Sequence, residues 1–271
     1  MPAAPALDWP IGPLAEALAP WLPGVVVEAV AEIESTNTEL MRRARAGQTQ
    51  PTLLVAEQQS AGRGRLGRAW QSGAGQPGDA LTASLALPLA PADWSGLSLA
   101  VGLALAESLH PDIGLKWPND LWLRDRKLAG ILIETAAAPG VPAGARQVVI
   151  GFGINIAPLA AHGLNTPPAW LRERLPDITA PAALSRVAEP LLRTVRAFAQ
   201  TGFAPLVARY AARDVLAGRA VRLSDGVEGL AHGVAANGAL RVRTASGERE
   251  ISSAEVSVRP QAPLERSTEG L

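Results

Sequence analysis

Along residues 25–200, apolar runs of strand-like period alternate with runs of helical period, which predicts a mixed fold of strands and helices. Residues 25–33 and 52–57 read as strands, and between them Thr36-x-x-Glu39 reads as a capping box opening a helix that Gly47 closes. Further strands are expected at 80–87, 115–117, 121–124, 127–135 and 147–156, the two short ones turning through Pro118-Asn119-Asp120. Residues 95–109 are apolar nearly all round, so a buried helix supporting the sheet is expected there. Helical patterns return at 182–200 and 203–214.

Past residue 219 the pattern shortens. Segments 220–223, 227–234, 239–244 and 250–258 alternate, and Asp225-Gly226, Asn237-Gly238 and Ser246-Gly247 stand between them as hairpin signals, each supplying a residue tolerant of positive φ. A small all-β barrel is the expectation. The domain reading is then an N-terminal extension at 1–24, a large domain at 25–214, a small domain at 215–260 and a frayed tail at 261–271. Trp9 and Trp21 give the extension something to pack with.

Composition narrows the chemistry. Lys and Arg together number 25 and so do Asp and Glu, so no global field recruits nucleic acid or an acidic membrane, and any basic site must be local. There is no cysteine, which removes disulfides, thiolate metal sites and a thiol nucleophile. His110, His162 and His232 lie in unrelated contexts without ligand spacing. The longest apolar stretch, near 97–106, is broken by Ser98 and Gly102 and is too short for a membrane span, and the N-terminus lacks the pattern of a secretory signal. The expected location is the cytoplasm.

The glycine-rich stretch 58–79 is long for a compact domain, and such loops are usually functional or disordered. Within it Gly62-Arg63-Gly64-Arg65-Leu66-Gly67-Arg68 lets backbone approach a ligand while arginine forks face it, which suits carboxylate or phosphate; a flexible basic surface remains the alternative. The spacing is neither a dinucleotide fingerprint nor a P-loop. Lys116-Trp117-Pro118-Asn119-Asp120 is either a plain turn or one that projects an amide and a carboxylate, with Asp120 able to hold Mg²⁺. Lys127 begins a strand and by itself reads as solvated. Ser35-Thr36-Asn37 is a helix cap, a trio of hydrogen-bonding groups for a polar ligand, or both, and Gln59 shares that ambiguity.

Taken in order, Ser35-Thr36-Asn37, Glu57-Gln58-Gln59 running into the arginine loop and Trp70, Lys116-Trp117-Pro118-Asn119-Asp120, Arg126-Lys127-Leu128-Ala129-Gly130-Ile131-Leu132 and Gly151-x-Gly153-Ile154-Asn155 resemble the signature set of biotin protein ligases. The resemblance extends over nearly all of the chain after residue 25. It implies an α+β, class II synthetase-like catalytic domain with a mainly antiparallel sheet and helices, followed by a small SH3-like barrel. It implies an activity that joins biotin to ATP, with Mg²⁺, and passes it to the biotin carboxyl carrier protein of acetyl-CoA carboxylase. The site residues follow from the same resemblance: Ser35, Thr36, Asn37, Gln59, Gly62, Gly64 and Gly130 toward biotin; Arg63, Arg65 and Lys127 toward its carboxylate and the reacting phosphate; Arg68, Trp70, Lys116, Asn119, Asp120, Asn155, Arg222 and Arg259 toward ATP; Asp120 toward the metal.

Two positions depart from that pattern. Leu66 stands where a basic residue is often found, and Ser252 where an aromatic is expected before Arg259. A lipoate or octanoate ligase or transferase on the same fold is the rival reading, and it requires a long apolar tunnel. A DNA-binding repressor is not expected, because residues 1–24 are too few for a three-helix module. Pairing of two copies through a sheet edge stays open.

Overall fold

In the computed structural model of the chain, which describes residues 6–71, 76–159, 166–252 and the backbone of 259–260, seven strands make one sheet. They are β1 (Val26–Ile33), β2 (Thr52–Gln59), β3 (Ala80–Leu89), β4 (Gly114–Lys116), β5 (Asp120–Leu123), β6 (Arg126–Ala136) and β7 (Arg146–Asn155). Their order is β1-β2-β3-β7-β6-β5-β4; β1 and β2 run parallel and every other neighbouring pair is antiparallel. β3 and β7 pair along their full length, from Ala80 opposite Asn155 to Leu89 opposite Arg146. Their near-continuous apolar sequence suits strands covered on both faces.

The two faces of β3 have different fates. Leu81, Ala83, Leu85 and Leu87 point into the main core with α3 (Leu97–Leu109) and α4 (Ala180–Thr201). On the opposite face Ala86 joins Leu54, Val149, Leu40 and Met41 beneath α2 (Thr36–Arg45). Thr82 and Ser84 share that second face by the alternation of a strand, and both are buried. They mark where packing gives way to a cavity.

α2 starts one residue off the expected register. Its cap is Ser35, whose side chain accepts from the Thr38 amide at 3.4 Å, so the box expected at Thr36 and Glu39 is not formed. Glu39 instead holds Arg42 and Arg43 at 2.8 Å each, three and four residues on. That shift leaves the Thr36 side chain free for tertiary bonding. The helical segment expected over 203–214 is also shorter: a 3-10 turn, Ala204–Leu206, leads into α5 (Val207–Ala211), and the chain then runs beside β4. There Leu115 N–H donates to Arg213 O at 2.7 Å and Val215 N–H to Leu115 O at 3.1 Å, satisfying backbone groups that a longer helix would have used.

Residues before β1 fold onto the large domain. α1 (Ile11–Leu18) buries Leu14 and Leu18 in the same core as the sheet, together with Trp9 and Leu22. Glu57, at 3% exposure on β2, accepts from Ala6 N–H, Leu7 N–H and Trp9 Nε1, which pairs a buried carboxylate with three donors. Trp21 is partly exposed beneath the Arg193 guanidinium.

The C-terminal region is a five-stranded antiparallel sheet ordered β11-β10-β9-β8-β12, from β8 (Ala220–Arg222), β9 (Glu228–Val234), β10 (Leu240–Thr244), β11 (Gly247–Ile251) and β12 (Arg259–Pro260). The described strands form a small antiparallel sheet, and among the described residues no pairing joins β11 to β12. The strand expected at 250–258 ends at Ile251; residues 253–258 and the tail at 261–271 lie outside the described residues. No helix among the described residues is long and apolar enough to cross a membrane.

Candidate active site

A cavity of about 470 Å³ opens on the α2 face of the sheet. That is within the range of small-molecule sites, roughly 300–1,000 Å³. Its inner wall is polar and closed. Ser35, Thr36 and Asn37 are each under 5% exposed at the start of α2. The Thr36 amide donates to Gln59 Oε1 at 2.8 Å, and its hydroxyl lies 3.1 Å from the same oxygen and 2.7 Å from Ser84 Oγ. Ser84 in turn donates to Asn37 Oδ1 at 2.6 Å. Asn37 Nδ2 donates to Leu132 O at 3.3 Å and to Glu134 Oε2 at 3.1 Å. The chain of contacts ends on Arg63, whose guanidinium lies 3.3 Å from Glu134.

Glycines make room for this wall. A Cβ on Gly151 would lie 2.0 Å from Asn37 Oδ1, and one on Gly153 would lie 2.3 Å from the Trp70 indole. Gly130 is less crowded, with Lys127 Nζ and Trp70 each 3.4 Å from a hypothetical Cβ. Neighbouring strands β6 and β7 thus carry a bare backbone floor on which the Trp70 ring and the Asn37 amide rest.

The outer part of the cavity is charged. The arginine loop folds back on itself, with Gly64 N–H bonded to Arg68 O at 2.7 Å and Trp70 N–H to Gly62 O at 2.8 Å, around a 3-10 turn at Arg65–Gly67. Leu66 takes φ 57 in that turn and is 75% exposed, so it points its side chain away from the cavity. Burial pulls the Arg65 guanidinium below its usual range, Asp120 opposes that shift and Arg68 adds to it. Arg65 nonetheless stays protonated near neutrality, because a guanidinium begins from so high a value.

Opposite the loop, Lys127 Nζ and Asp120 Oδ1 are 2.8 Å apart, an ion pair across adjacent strands. The β5–β6 pairing starts where Asn119 O accepts from Ile131 N–H at 3.0 Å and Asn119 Nδ2 donates to Ile131 O at 2.9 Å, so the Asn119 side chain fixes the turn that presents Asp120. Lys116 lies 5.0 Å over the Trp122 ring. Asn155 Nδ2 donates to Ala169 O at 2.9 Å, while Asn155 Oδ1 and Trp70 Nε1 are buried with no partner among the described residues. Buried polar atoms are rarely left so, and these two offer a ligand one acceptor and one donor. Among the described residues no three His, Cys, Asp or Glu side chains gather as a metal group.

Residues 29–155 match the Biotin/lipoate A/B protein ligase family and residues 217–259 the Biotin protein ligase C terminal domain. The biotin--[acetyl-CoA-carboxylase] ligase of Paracoccus denitrificans is 32% identical over 246 residues, covering 84% of this chain and 98% of that one. The bifunctional ligase/repressor BirA of Escherichia coli is 36% identical over 231 residues, covering 81% of this chain and 70% of its own length. The chain belongs to the biotin protein ligases. A solved member of that family, the Aquifex aeolicus biotin protein ligase in complex with biotin and ATP, superimposes with a TM-score of 0.72 at 26% identity, covering 87% of this chain and 99% of that one.

For a biotin protein ligase the residues expected from sequence are gathered to a high degree. Ser35, Thr36, Asn37, Gln59, Arg63, Gly64, Arg65, Arg68, Trp70, Lys116, Asn119, Asp120, Lys127, Gly130 and Asn155 all border the one cavity. Gly62 does not border it; a Cβ there would lie 2.5 Å from Trp70 O, so its role is to let the loop close on itself. Arg222 is exposed on β8 in an ion pair with Glu228 and is not among the residues bordering the cavity, and Arg259 is its cross-strand neighbour in backbone register. Ser252 borders a second groove, between the domains, which also touches Arg65. Sequence reasoning passed over Ser84 and Glu134. The available signal for Ser84 was a second hydroxyl, two positions after Thr82, on one face of a largely apolar strand; Glu134 carried none.

Proposed function

We propose that this protein activates biotin with ATP to biotinyl-5'-AMP and transfers the biotinyl group to a lysine of a biotin carboxyl carrier protein, that of acetyl-CoA carboxylase. The observation that carries the reading is the division of one cavity into a neutral hydrogen-bonding end at Ser35, Thr36, Asn37 and Gln59 and a cationic end at Arg63, Arg65, Arg68 and Lys127. Biotin has the same division, a cyclic urea at one end and a carboxylate at the other. The Aquifex relative holds biotin and ATP together, and the Paracoccus relative is named for the same reaction.

The chemistry needs two anions in contact. A biotin carboxylate oxygen attacks the α-phosphorus of ATP, a carboxyl–phosphate bond forms, and the bond to pyrophosphate breaks. Arg63, Arg65 and Lys127 lower the repulsion between the reactants and stabilise the charge of the transition state, and the closed polar wall fixes the urea so that the carboxylate is positioned. Asp120 pairs with Lys127 and holds its ammonium at the reacting end. In the second step an unprotonated carrier lysine attacks the acyl carbon, AMP departs with the bonding electrons, and the amine proton passes to solvent.

Asp120 also suits Mg²⁺, which is commonly held by one or two carboxylates with waters and substrate phosphates completing its shell. Bound there, the ion would neutralise phosphate charge. On this reading the protein works in the cytoplasm, where ATP is supplied. The lipoate reading is weaker, because a dithiolane ring has no N–H or carbonyl to meet the buried groups at Ser35, Thr36 and Asn37, and unmatched buried polar groups oppose binding.

Purified protein, Mg-ATP, biotin and an apo carrier domain test the proposal. Biotin-labelled carrier with biotin-dependent pyrophosphate release is the expected result. Folded protein that gives neither signal, yet labels the carrier with lipoate, would replace it.

A further inference from the structure

Proton counting along the inner wall gives its hydrogen bonds a direction. Asn37 Nδ2 faces Leu132 O and the Glu134 carboxylate, both of which only accept, so the amide orientation is settled and Oδ1 must face Ser84. Ser84 therefore spends its single proton on Asn37 Oδ1. In the 2.7 Å contact between the two hydroxyls, Thr36 has to be the donor. Gln59 is oriented too, because its Oε1 takes the Thr36 amide proton. With the Thr36 proton committed to Ser84, Thr36 Oγ1 and Gln59 Oε1 stand 3.1 Å apart as two acceptors at the cavity wall.

We propose that Ser84, anchored through Asn37 by Glu134, is a specificity-determining positioning residue that commits Thr36 to accept from the ligand, so that this end of the cavity demands an N–H. Two neighbouring oxygens without a proton between them repel each other, and a ligand N–H placed against them satisfies both. A ring oxygen at the same place adds a third lone pair. Ser84 does not border the cavity and acts through Thr36 and Asn37, which do. Glu134 contributes at the far end and also holds Arg63, which links the urea end of the wall to the arginine loop.

The inference rests on biotin being the ligand, and the test separates the two. Calorimetry would compare biotin with the two cyclic carbamates in which one or the other ring N–H is replaced by oxygen. Wild-type protein is expected to favour biotin over at least one carbamate by about 100-fold or more, as sites built around a substrate N–H do. Ser84→Ala frees the Thr36 proton for Gln59 Oε1, 3.1 Å away, which removes the pair of unprotonated oxygens that demands a ligand N–H, so the preference is expected to narrow about tenfold, with KM for biotin raised far more than kcat is lowered. Mere loosening of the wall would weaken all three ligands alike and leave the ratio unchanged, and an unchanged ratio overturns the relay. Glu134 retains 21% side-chain exposure. Glu134→Gln therefore keeps the fold and is expected to narrow the same ratio; no narrowing there removes Glu134 from the relay. Wild-type protein that binds lipoate and not biotin overturns the functional reading and the relay together.

Discussion

At the scale of single residues, glycine and lysine carry the sharpest consequences. A methyl group on Gly151 would sit 2.0 Å from Asn37 Oδ1, and the amide cannot move without breaking its bonds to Ser84 and Glu134. Gly151→Ala is expected to cost about 1–3 kcal/mol of stability, the usual range for overpacking, and to weaken biotin binding more than ATP binding. Urea unfolding and calorimetry with each ligand check both halves. Lys127→Ala removes the ammonium paired with Asp120 at the reacting end. Biotin-dependent pyrophosphate release should fall by about 10²–10³-fold, the scale seen when a transition-state charge loses its partner, with the circular dichroism spectrum unchanged. Gly62, Gly130, Gly151 and Gly153 were legible as motif members, but the atom that each makes room for was not.

Secondary-structure elements show where local signals competed with tertiary ones. Thr36 and Glu39 have the spacing of a capping box, yet Ser35 caps α2, with the Thr36 amide taken by Gln59 and its hydroxyl by Ser84 from other strands. Glu39 is left to Arg42 and Arg43, whose hydrogen bonds bring its pKa from 4.5 to about 2. A carboxyl depressed on folding stabilises the native state above its unfolded value, and that contribution disappears as pH falls from about 4.5 toward about 2. Acid unfolding of Glu39→Gln should accordingly be less steep than wild type in that window and parallel to it above pH 5. α1 illustrates the opposite case. Trp9 and Trp21 suggested that the extension packs, but the helix itself was not expected, and the buried Glu57 that fastens the residues before it lies about fifty positions away in the chain.

For the molecule as a whole, the joint between large and small domains is the feature that sequence least suggested. Asn237-Gly238 reads correctly as a hairpin turn, and Gly238 has φ 80, but a Cβ there would also lie 2.7 Å from the Gly96 backbone at the start of α3. Trp117, buried beside the Asn119-Asp120 turn, donates its indole N–H to Gly238 O at 3.0 Å. The small domain is therefore tied to the segment that presents Asp120. Trp117→Phe should cost about 1 kcal/mol and lower Tm by about 2–4 °C for a chain of this size. It should also raise KM for ATP while leaving biotin binding near wild type, as paired titrations would read; equal effects on both ligands would mean that the contact serves stability alone.

What the sequence determined by itself was set by short-range sterics and solvent. Strand and helix periods, turn glycines and the order of its motifs follow from residues a few positions apart, and they were enough to place the main sheet, the buried α3 and the family. The tertiary structure alone decided which side chains meet. Asn37 and Glu134 are 97 positions apart, and Ser84 is 47 from Asn37, so their partnership depends on how β3, β6 and β7 align. It alone shortened α5 and brought the Gly238 turn against Gly96. Backbone propensity is local, whereas hydrogen-bond partners, burial of charge and close backbone approach depend on groups that only the folded chain brings together.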